Sequence, residues 1–418
     1  MTNTPPTSAG CPVLQPGAVP LSGPRFHTDP QRLYREVRRE HGPVVPVDLG
    51  GFPAWLVIGY RELHQVTSDP ELFSRDRALW NQWPAVPADW PLLPMVGGPM
   101  PSVYFTAGAE HRRHAELVNA ALETVDPFAA RRLCEELSDR LIDRFCGRGE
   151  ADLASFARDL PLLALLRLVG FPDDQGPDLA RLMGELADGG PGAQDAFAQW
   201  MAAVVKLVAE KRMEPAADIT SWMVANAQEF TEEEVMGNVR DIVAAGFLTT
   251  ADWVGNSIRL MLTDDRFAAA LGGGRYSVGQ AMNEVLWEDT PTQILAGRWA
   301  SRDTQLGGRT IQSGDMVLLG LAGANNDPLI QEHLDPGQGG NSAHFAFSYG
   351  EYRCPFPAQE IAEIIARTGI EVLLDRLPDL ELSVPVDELQ RRPSAFLRGM
   401  TALPVRFTPV PTTTGGIR

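Results

Sequence analysis

The sequence predicts a mostly α fold, a single large α+β domain that is helix-rich with small β-sheets. Three observations predict it. From Ala109 to Ala269 almost every segment has helical periodicity, and one helix, Thr231 to Leu262, is unusually long. Beyond Glu288 the chain breaks into short strand-like pieces, so helices come first and small sheets later.

In chain order, residues 1–25 read as an irregular tail and 411–418 as a disordered C-terminal tail, leaving 26–410 as one domain. Asp29 to Glu40 reads as a helix, with Leu33 and Val37 one turn apart among charges. Val44–Leu49 and Phe52–Ile58, divided by Gly50 and Gly51, read as a hairpin. A long loop with Trp80, Trp83 and Trp90 follows, and Pro127, Gly147, Pro172, the glycine patch at 189–192 and Pro215 punctuate the helices after it. Thr231 followed by Glu234 is a capping box that starts the long helix. Its middle, Ile242–Leu248, is apolar almost all round, which predicts burial. A helix over Ala281–Glu288 leads to strands at Gln293–Ala300, Arg309–Ile311 and Met316–Leu321. A further helix spans Ala358–Leu374, and strands close the chain.

Composition narrows the function. A net charge of -18 repels phosphate backbones, so no nucleic-acid partner is expected. No apolar run approaches the roughly 18 residues that a membrane span needs. The Thr-, Asn- and Pro-rich opening lacks the pattern of a signal peptide, so a cytoplasmic location is expected. The 4 cysteines, Cys11, Cys134, Cys146 and Cys354, are too sparse for a disulfide framework. They form no C-x-x-C pair and no C-x-x-C-H, so any haem is held non-covalently.

The sharpest chemical signal runs from Phe347 through Gly350 to Cys354 and Pro355, immediately before a helix. Gly350 permits a tight turn, and Pro355 sits where a missing N–H matters little. Together they present the Cys354 sulfur at a helix N-terminus, where the dipole favours a thiolate. A thiolate there is a good iron ligand whose electron density favours O–O cleavage. A lone cysteine is more often structural; the surrounding spacing reverses that preference.

Phe347, Gly350 and Cys354 match the F-x-x-G-x-x-x-C haem loop of the cytochrome P-450 superfamily, which the chain resembles over most of its length. Further segments follow in the family's order. Ala245, Gly246, Thr249 and Thr250 resemble its oxygen-binding A-G-x-x-T-T. Glu284 to Trp287 lies where E-x-x-R belongs, and Ala324 to Pro328 resembles A-N-R-D-P. Glu110-His111 and Arg298 fall where propionate-gripping residues lie, and Arg398 to Arg406 resembles the closing strands.

The resemblance implies the cytochrome P-450 fold and haem b with Cys354 as axial ligand of the iron. It also implies dioxygen, a hydrophobic small-molecule substrate, and electrons from a ferredoxin and ferredoxin reductase. Gly246 is expected to let the long helix approach the haem, and Thr249 to offer its hydroxyl to bound oxygen; back-bonding to the preceding turn is the plainer role for such a threonine. His111, Arg298, Tyr352 and Arg113 are expected at the haem edge.

Departures from the family are informative. Leu248 replaces the usual acid before the threonine, with Asp252 and Asp241 the nearest carboxylates. Trp287 replaces the E-x-x-R arginine, so Glu284 is expected to find Arg298, Arg302, the indole N–H or a backbone donor. Ala115 replaces an arginine after His111, with Arg112 or Arg113 to compensate. Tyr352 replaces a basic residue, and Phe356 a glycine. Pro355 and Pro357 lack N–H groups, so the sulfur is expected to receive few backbone hydrogen bonds and the iron to have a lowered potential.

The substrate pocket is expected along Leu79–Val103, Leu165–Leu186, Val243–Thr250 and Gln293–Leu295, with Trp80, Trp83, Val243, Phe247, Gln293 and Leu295 lining it. The Trp-rich loop points to an aromatic or indole-bearing specialised metabolite. Hydroxylation, or oxidative aryl coupling of a tryptophan-containing diketopiperazine, is the expected reaction. A non-catalytic or regulatory haem protein and a peroxide-driven enzyme are the alternatives. Arg112, Arg113, Arg131, Arg132 and Arg353 form either a basic partner patch or a solvated helix face.

Overall fold

Strands near the N-terminus pair with strands far along the chain, and that closure sets the frame of the molecule. The structure, a computed structural model, describes residues 17–23, 29–97, 100–188, 192–265, 267, 278–332 and 341–413. Strand β1 (Val19–Pro20) pairs parallel with β2 (Val44–Leu49), so the segment read as an irregular tail contributes a short sheet edge. Between them α1 (Pro30–His41) starts on Asp29, whose carboxylate accepts the Arg32 N–H, and buries Leu33, Tyr34 and Val37. β2 turns back into β3 (Phe52–Val57), Leu49 facing Phe52, because Gly50 and Gly51 both take positive φ. Helix α2 (Tyr60–Ser68) and β4 (Phe73–Ser74) follow.

The Trp-rich segment after β4 is ordered by its own aromatics. Trp80 packs on Phe52, Trp83, Trp90 and Trp299, and the Trp90 indole donates to the Gly50 carbonyl. Helices α3 (Gly108–Leu122), α4 (Pro127–Ile142), α5 (Leu153–Val169), α6 (Gly176–Asp188), α7 (Ala193–Met213) and α8 (Ile219–Asn226) then build the helical layer, with β5 (Glu150–Asp152) between α4 and α5.

Through it runs α9 (Glu232–Thr263), 32 residues long, opened by the capping box of Thr231 and Glu234. It packs along α5, where a Cβ on Gly246 would lie 3.1 Å from Leu165. Gly246 therefore permits close helix–helix contact with α5. Gly237 lets the loop at Pro101 approach the helix, since a Cβ there would lie 2.6 Å from the Pro101 carbonyl.

Helix α10 (Val278–Glu288) leads to β6 (Leu295–Ala300), the β7–β8 hairpin (Thr304–Leu306, Arg309–Ile311) and β9 (Met316–Leu319). β9 inserts between β3 and β6 to give the order β1-β2-β3-β9-β6-β4. Helix α11 (Phe356–Arg376) is followed by β10 (Glu381–Leu382) and β11 (Pro404–Arg406), which pair with β5 as a second sheet. At the chain end, Thr413 is tied to Asp143 and Arg376; residues 414–418, also read as disordered tail, lie outside the described residues. Among the described residues no helix is long and apolar enough to cross a membrane.

One polar knot holds the long helix, α10 and the closing segment together. Asp289, 6% exposed, meets Arg259 at 3.1 Å and binds Arg391 and Arg398 more closely. Asn256 of α9 joins it, donating to the carbonyls of Asp289 and Arg398. Three guanidiniums outweigh burial and hold the carboxyl well below the usual range. Removing this one anion leaves three half-buried cations without their shared partner. Asp289→Asn is therefore expected to lower stability by about 3–5 kcal/mol, read as a reduced urea midpoint; an unchanged midpoint contradicts the assignment.

Candidate functional site

The loop before α11 is fixed from both sides. Gly350 has φ +77, and a Cβ there would fall 2.0 Å from the Thr67 carbonyl of α2, so no other residue fits. Ser348 also takes positive φ, 59°. The Cys354 N–H donates to the Phe347 carbonyl at 2.9 Å, closing the turn. The Phe347 ring meets Trp253 of α9 edge-on at 5.8 Å, which seats the loop beside the long helix. Pro355 caps α11, and the Gln359 side chain donates back to the Cys354 carbonyl at 2.7 Å.

Burial works against ionisation of the sulfur and pushes the Cys354 thiol up to about 12. A bound metal cation favours the thiolate and displaces the proton.

A second cluster lies around Tyr352. Its ring carries the Arg298 guanidinium at 4.4 Å and the Arg75 guanidinium at 5.1 Å. Arg298, on β6, is 1% exposed; Nη1 donates to the Gly297 carbonyl, and Nη2 has no partner among the described residues. Arg75, 7% exposed, donates to the Tyr104 carbonyl at 3.3 Å and covers the Tyr104 ring. His111, on α3, lies 4.5 Å from the Tyr352 ring and bonds the Val103 carbonyl through Nδ1 at 2.9 Å. Burial, then the charge of Arg75, lowers its pKa to about 4.

Among the described residues neither Arg75 nor Arg298 has a carboxylate within ion-pair distance. Two buried like charges without a counter-ion are unfavourable. Burial, and then Arg75, pull the Arg298 pKa well down. Such a donor set fits a dianionic edge, and beside a cysteine at a helix start it fits haem and its two propionates.

On α9 the structure revises the predicted burial. Ala244 and Ala245 are exposed and Thr249 is partly so, whereas Val243 and Phe247 are 0% and 1% exposed in the helical core. The helix is rotated so that Ala244 and Ala245, not the two bulky residues, form its open face; Val243 and Phe247 are core residues and not a pocket lining. The Thr249 hydroxyl donates to the Ala245 carbonyl at 2.7 Å, the plainer of its two roles. Thr250 is buried.

Neither nearby acid is free. Asp252 is gripped by Arg392 at 2.7 and 3.0 Å, and Asp241 is held by Arg240 and Ser102.

Several other expected site residues lie elsewhere. Arg113 pairs with Glu110 and Glu234 and covers Phe230, because two positions along a helix turn it away from His111. Trp80 is 2% exposed in the aromatic core, and half-buried Trp83 lies under Arg77. Gln293 is 3% exposed and donates to the Ser394 and Leu397 carbonyls, a structural use; Leu295 is half-buried at the start of β6.

The Trp287 indole donates to the Asn341 carbonyl at 2.9 Å and not to Glu284. Of the proposed basic patch, Arg112 pairs with Glu351, and Arg131 with Glu135 and Glu371. Arg353 lies over the Phe356 ring, and local carboxylates answer Arg112, Arg113 and Arg131 of that patch. Arg75, Tyr104 and the Asp289 knot had no periodic or motif signal in the sequence.

No family model matches the chain. It is 30% identical over 416 residues to the cytochrome P450 monooxygenase PikC of Streptomyces venezuelae, covering 96% of each chain. It is 26% identical over 407 residues to the polyketide biosynthesis cytochrome P450 PksS of Bacillus subtilis, covering 92% of this chain and 98% of the other. The solved PksS structure matches with a TM-score of 0.80 at 26% identity, over 92% of this chain and 98% of that one. CYP154C4 from Streptomyces sp. W2061 matches with a TM-score of 0.82 at 26% identity, over 94% and 98% of the two chains.

Two of the three backbone nitrogens after Cys354 belong to Pro355 and Pro357 and carry no proton. Restoring an N–H with Pro355→Ala or Pro357→Ala is expected to withdraw electron density from the sulfur. The iron reduction potential then moves to more positive values in a redox titration. Unchanged or more negative potentials reject the reading.

Proposed function

The chain belongs to the cytochrome P450 superfamily and is a haem b-dependent monooxygenase, and from that premise we propose that it hydroxylates a hydrophobic specialised metabolite with electrons from a ferredoxin. When bound, the haem supplies the dioxygen and electron-transfer chemistry. The residues of this chain bind and orient it: Cys354 as the iron ligand, Phe347 packed between the loop and α9, and His111, Tyr352 and Arg298 at its acidic edge. The observation that carries the reading is the pair of buried guanidiniums without carboxylates, lying beside a cysteine loop that a glycine contact immobilises.

Substrate is assigned to the open face of α9, at Ala244, Ala245 and Thr249, with Leu295 the one expected lining residue on β6 that stays half-exposed. Small side chains there leave room and offer apolar contact, which suits a bulky apolar molecule. Thr249 holds a hydroxyl at that face; leaving the Ala245 carbonyl frees it to donate a proton. With Leu248 in place of an acid, and Asp252 and Asp241 both engaged, no side-chain carboxylate of this turn backs that hydroxyl.

Oxidative coupling of a tryptophan-containing diketopiperazine is the narrower reading. It rests on the Trp-rich loop and on Leu248 in place of an acid; Trp80 and Trp90 are used in the core, which leaves half-buried Trp83 and Leu248 as its support. PksS is named for polyketide biosynthesis, and a macrocyclic or polyketide substrate for this chain is the broader proposal that the small open face accommodates.

Turnover under labelled dioxygen, with a surrogate ferredoxin and reductase, separates these readings. Hydroxylation predicts substrate-stimulated consumption of reduced pyridine nucleotide and one labelled oxygen atom in the product. A product lacking two hydrogens and carrying no label supports coupling instead. Electron consumption that no candidate substrate stimulates favours the non-catalytic haem protein, and turnover with peroxide alone favours the peroxide-driven enzyme.

A further inference from the structure

Relative to the family pattern, this chain lacks two cations at the edge where haem carboxylates are held. Ala115 stands one turn along α3 from His111, and Tyr352 stands two residues before Cys354. Neither Arg112 nor Arg113 restores the charge. Arg112 is 57% exposed and paired with Glu351, and Arg113 is locked between Glu110 and Glu234. A compensating cation has to come from elsewhere in the fold.

Arg75 meets that description. It follows β4, the edge strand that pairs with β6 two residues away, and β6 carries Arg298. The two guanidiniums lie against the same Tyr352 ring, at 5.1 and 4.4 Å. Arg75 has a second ring beneath it, Tyr104 at 4.7 Å, and its neighbour His111 belongs to the same group. Among the described residues its one hydrogen bond, 3.3 Å to the Tyr104 carbonyl, uses one of five donors. A small cavity beside it is lined by Arg75, Tyr104, Phe105 and Gly297.

A buried guanidinium needs an anion or a full set of acceptors, and here neither is supplied by the described chain. Aromatic faces soften the repulsion between the two cations by their π density, so a tyrosine at 352 is compatible with two flanking arginines in a way that a third cation would not be.

We infer that Arg75, with Tyr352 as the shared aromatic spacer, is a second haem-carboxylate clamp opposite Arg298, taking over the charge absent at positions 115 and 352. This rests on the haem-binding reading above. In ionic terms the two propionates meet two guanidiniums and both sets of charges are neutralised, which makes haem retention depend on Arg75 as strongly as on Arg298.

The test is the rate at which purified holoprotein loses haem to excess apomyoglobin, followed in the Soret band. Arg75→Leu is expected to lose haem at least about tenfold faster than wild type, roughly 1.4 kcal/mol off the barrier to release. Arg75→Lys, which keeps the charge but not the fork, is expected to fall between them. Arg131→Leu, on the exposed face of α4, is expected to match wild type.

Should Arg75→Leu not fold, the propionate-bending bands in the resonance Raman spectrum of Arg75→Lys decide, and a shift from wild type is expected. Wild-type release rates in Arg75→Leu, or an unshifted Raman band in Arg75→Lys, overturn the clamp while leaving haem binding itself intact. A wild-type protein that purifies and reconstitutes without haem would instead sink the reading underneath it.

Discussion

A sulfur can hold a metal at one fixed height only where the backbone around it cannot turn, and in this protein the restraint is the contact of Gly350 with the carbonyl of Thr67. That contact leaves no space for a side chain, and it sets a positive φ that only glycine accepts without strain. The Cys354 N–H then closes onto Phe347, and α11 begins at once. Everything that positions the site leans on this turn. Helix α2 supports it from below, and α9 reaches it through Trp253 and Phe347. The six-stranded sheet, by placing β4 next to β6, delivers Arg75 and Arg298 to the ring of Tyr352.

The charge arrangement explains why the site is built from aromatic rings as much as from polar groups. Two guanidiniums are kept out of water beside a histidine that burial holds neutral. Rings of Tyr352 and Tyr104 cover their faces, and among the described residues neither guanidinium meets a carboxylate. Elsewhere the same chain pairs buried charges with care. Asp289 gathers three arginines, Asp252 takes Arg392, and Asp218 takes Lys211 at 2.6 Å. The contrast between those satisfied pairs and the unsatisfied one is what marks the haem edge as a place where a ligand's charge belongs.

Much of this was legible in the sequence wherever a local rule governs. Thr231 and Glu234 announced the start of α9, Gly50-Gly51 the hairpin, and the spacing of Phe347, Gly350 and Cys354 the loop. What local rules do not encode is rotation and partner choice. The apolar run Ile242–Leu248 gave no sign that Ala244 and Ala245 form the open side, since a helix that is apolar all round has no preferred face in its pattern. Arg113 looked equivalent to its neighbours until the corner holding Glu234 claimed it. Trp80 resembled a binding aromatic and is a core residue, because the hairpin and β6 bring Phe52 and Trp299 against it. Trp287 loses an arginine's charge and answers with an indole bond to Asn341, a partner more than fifty positions along the chain.

The most direct measurement is the absorption spectrum of the reduced protein under carbon monoxide, taken for wild type and Cys354→Ser. Sulfur ligation predicts the long-wavelength Soret band diagnostic of a thiolate-bound iron in wild type, and its loss in the variant while haem remains bound. A wild-type spectrum of the kind given by nitrogen-ligated haem, or a variant spectrum identical to wild type, contradicts the account.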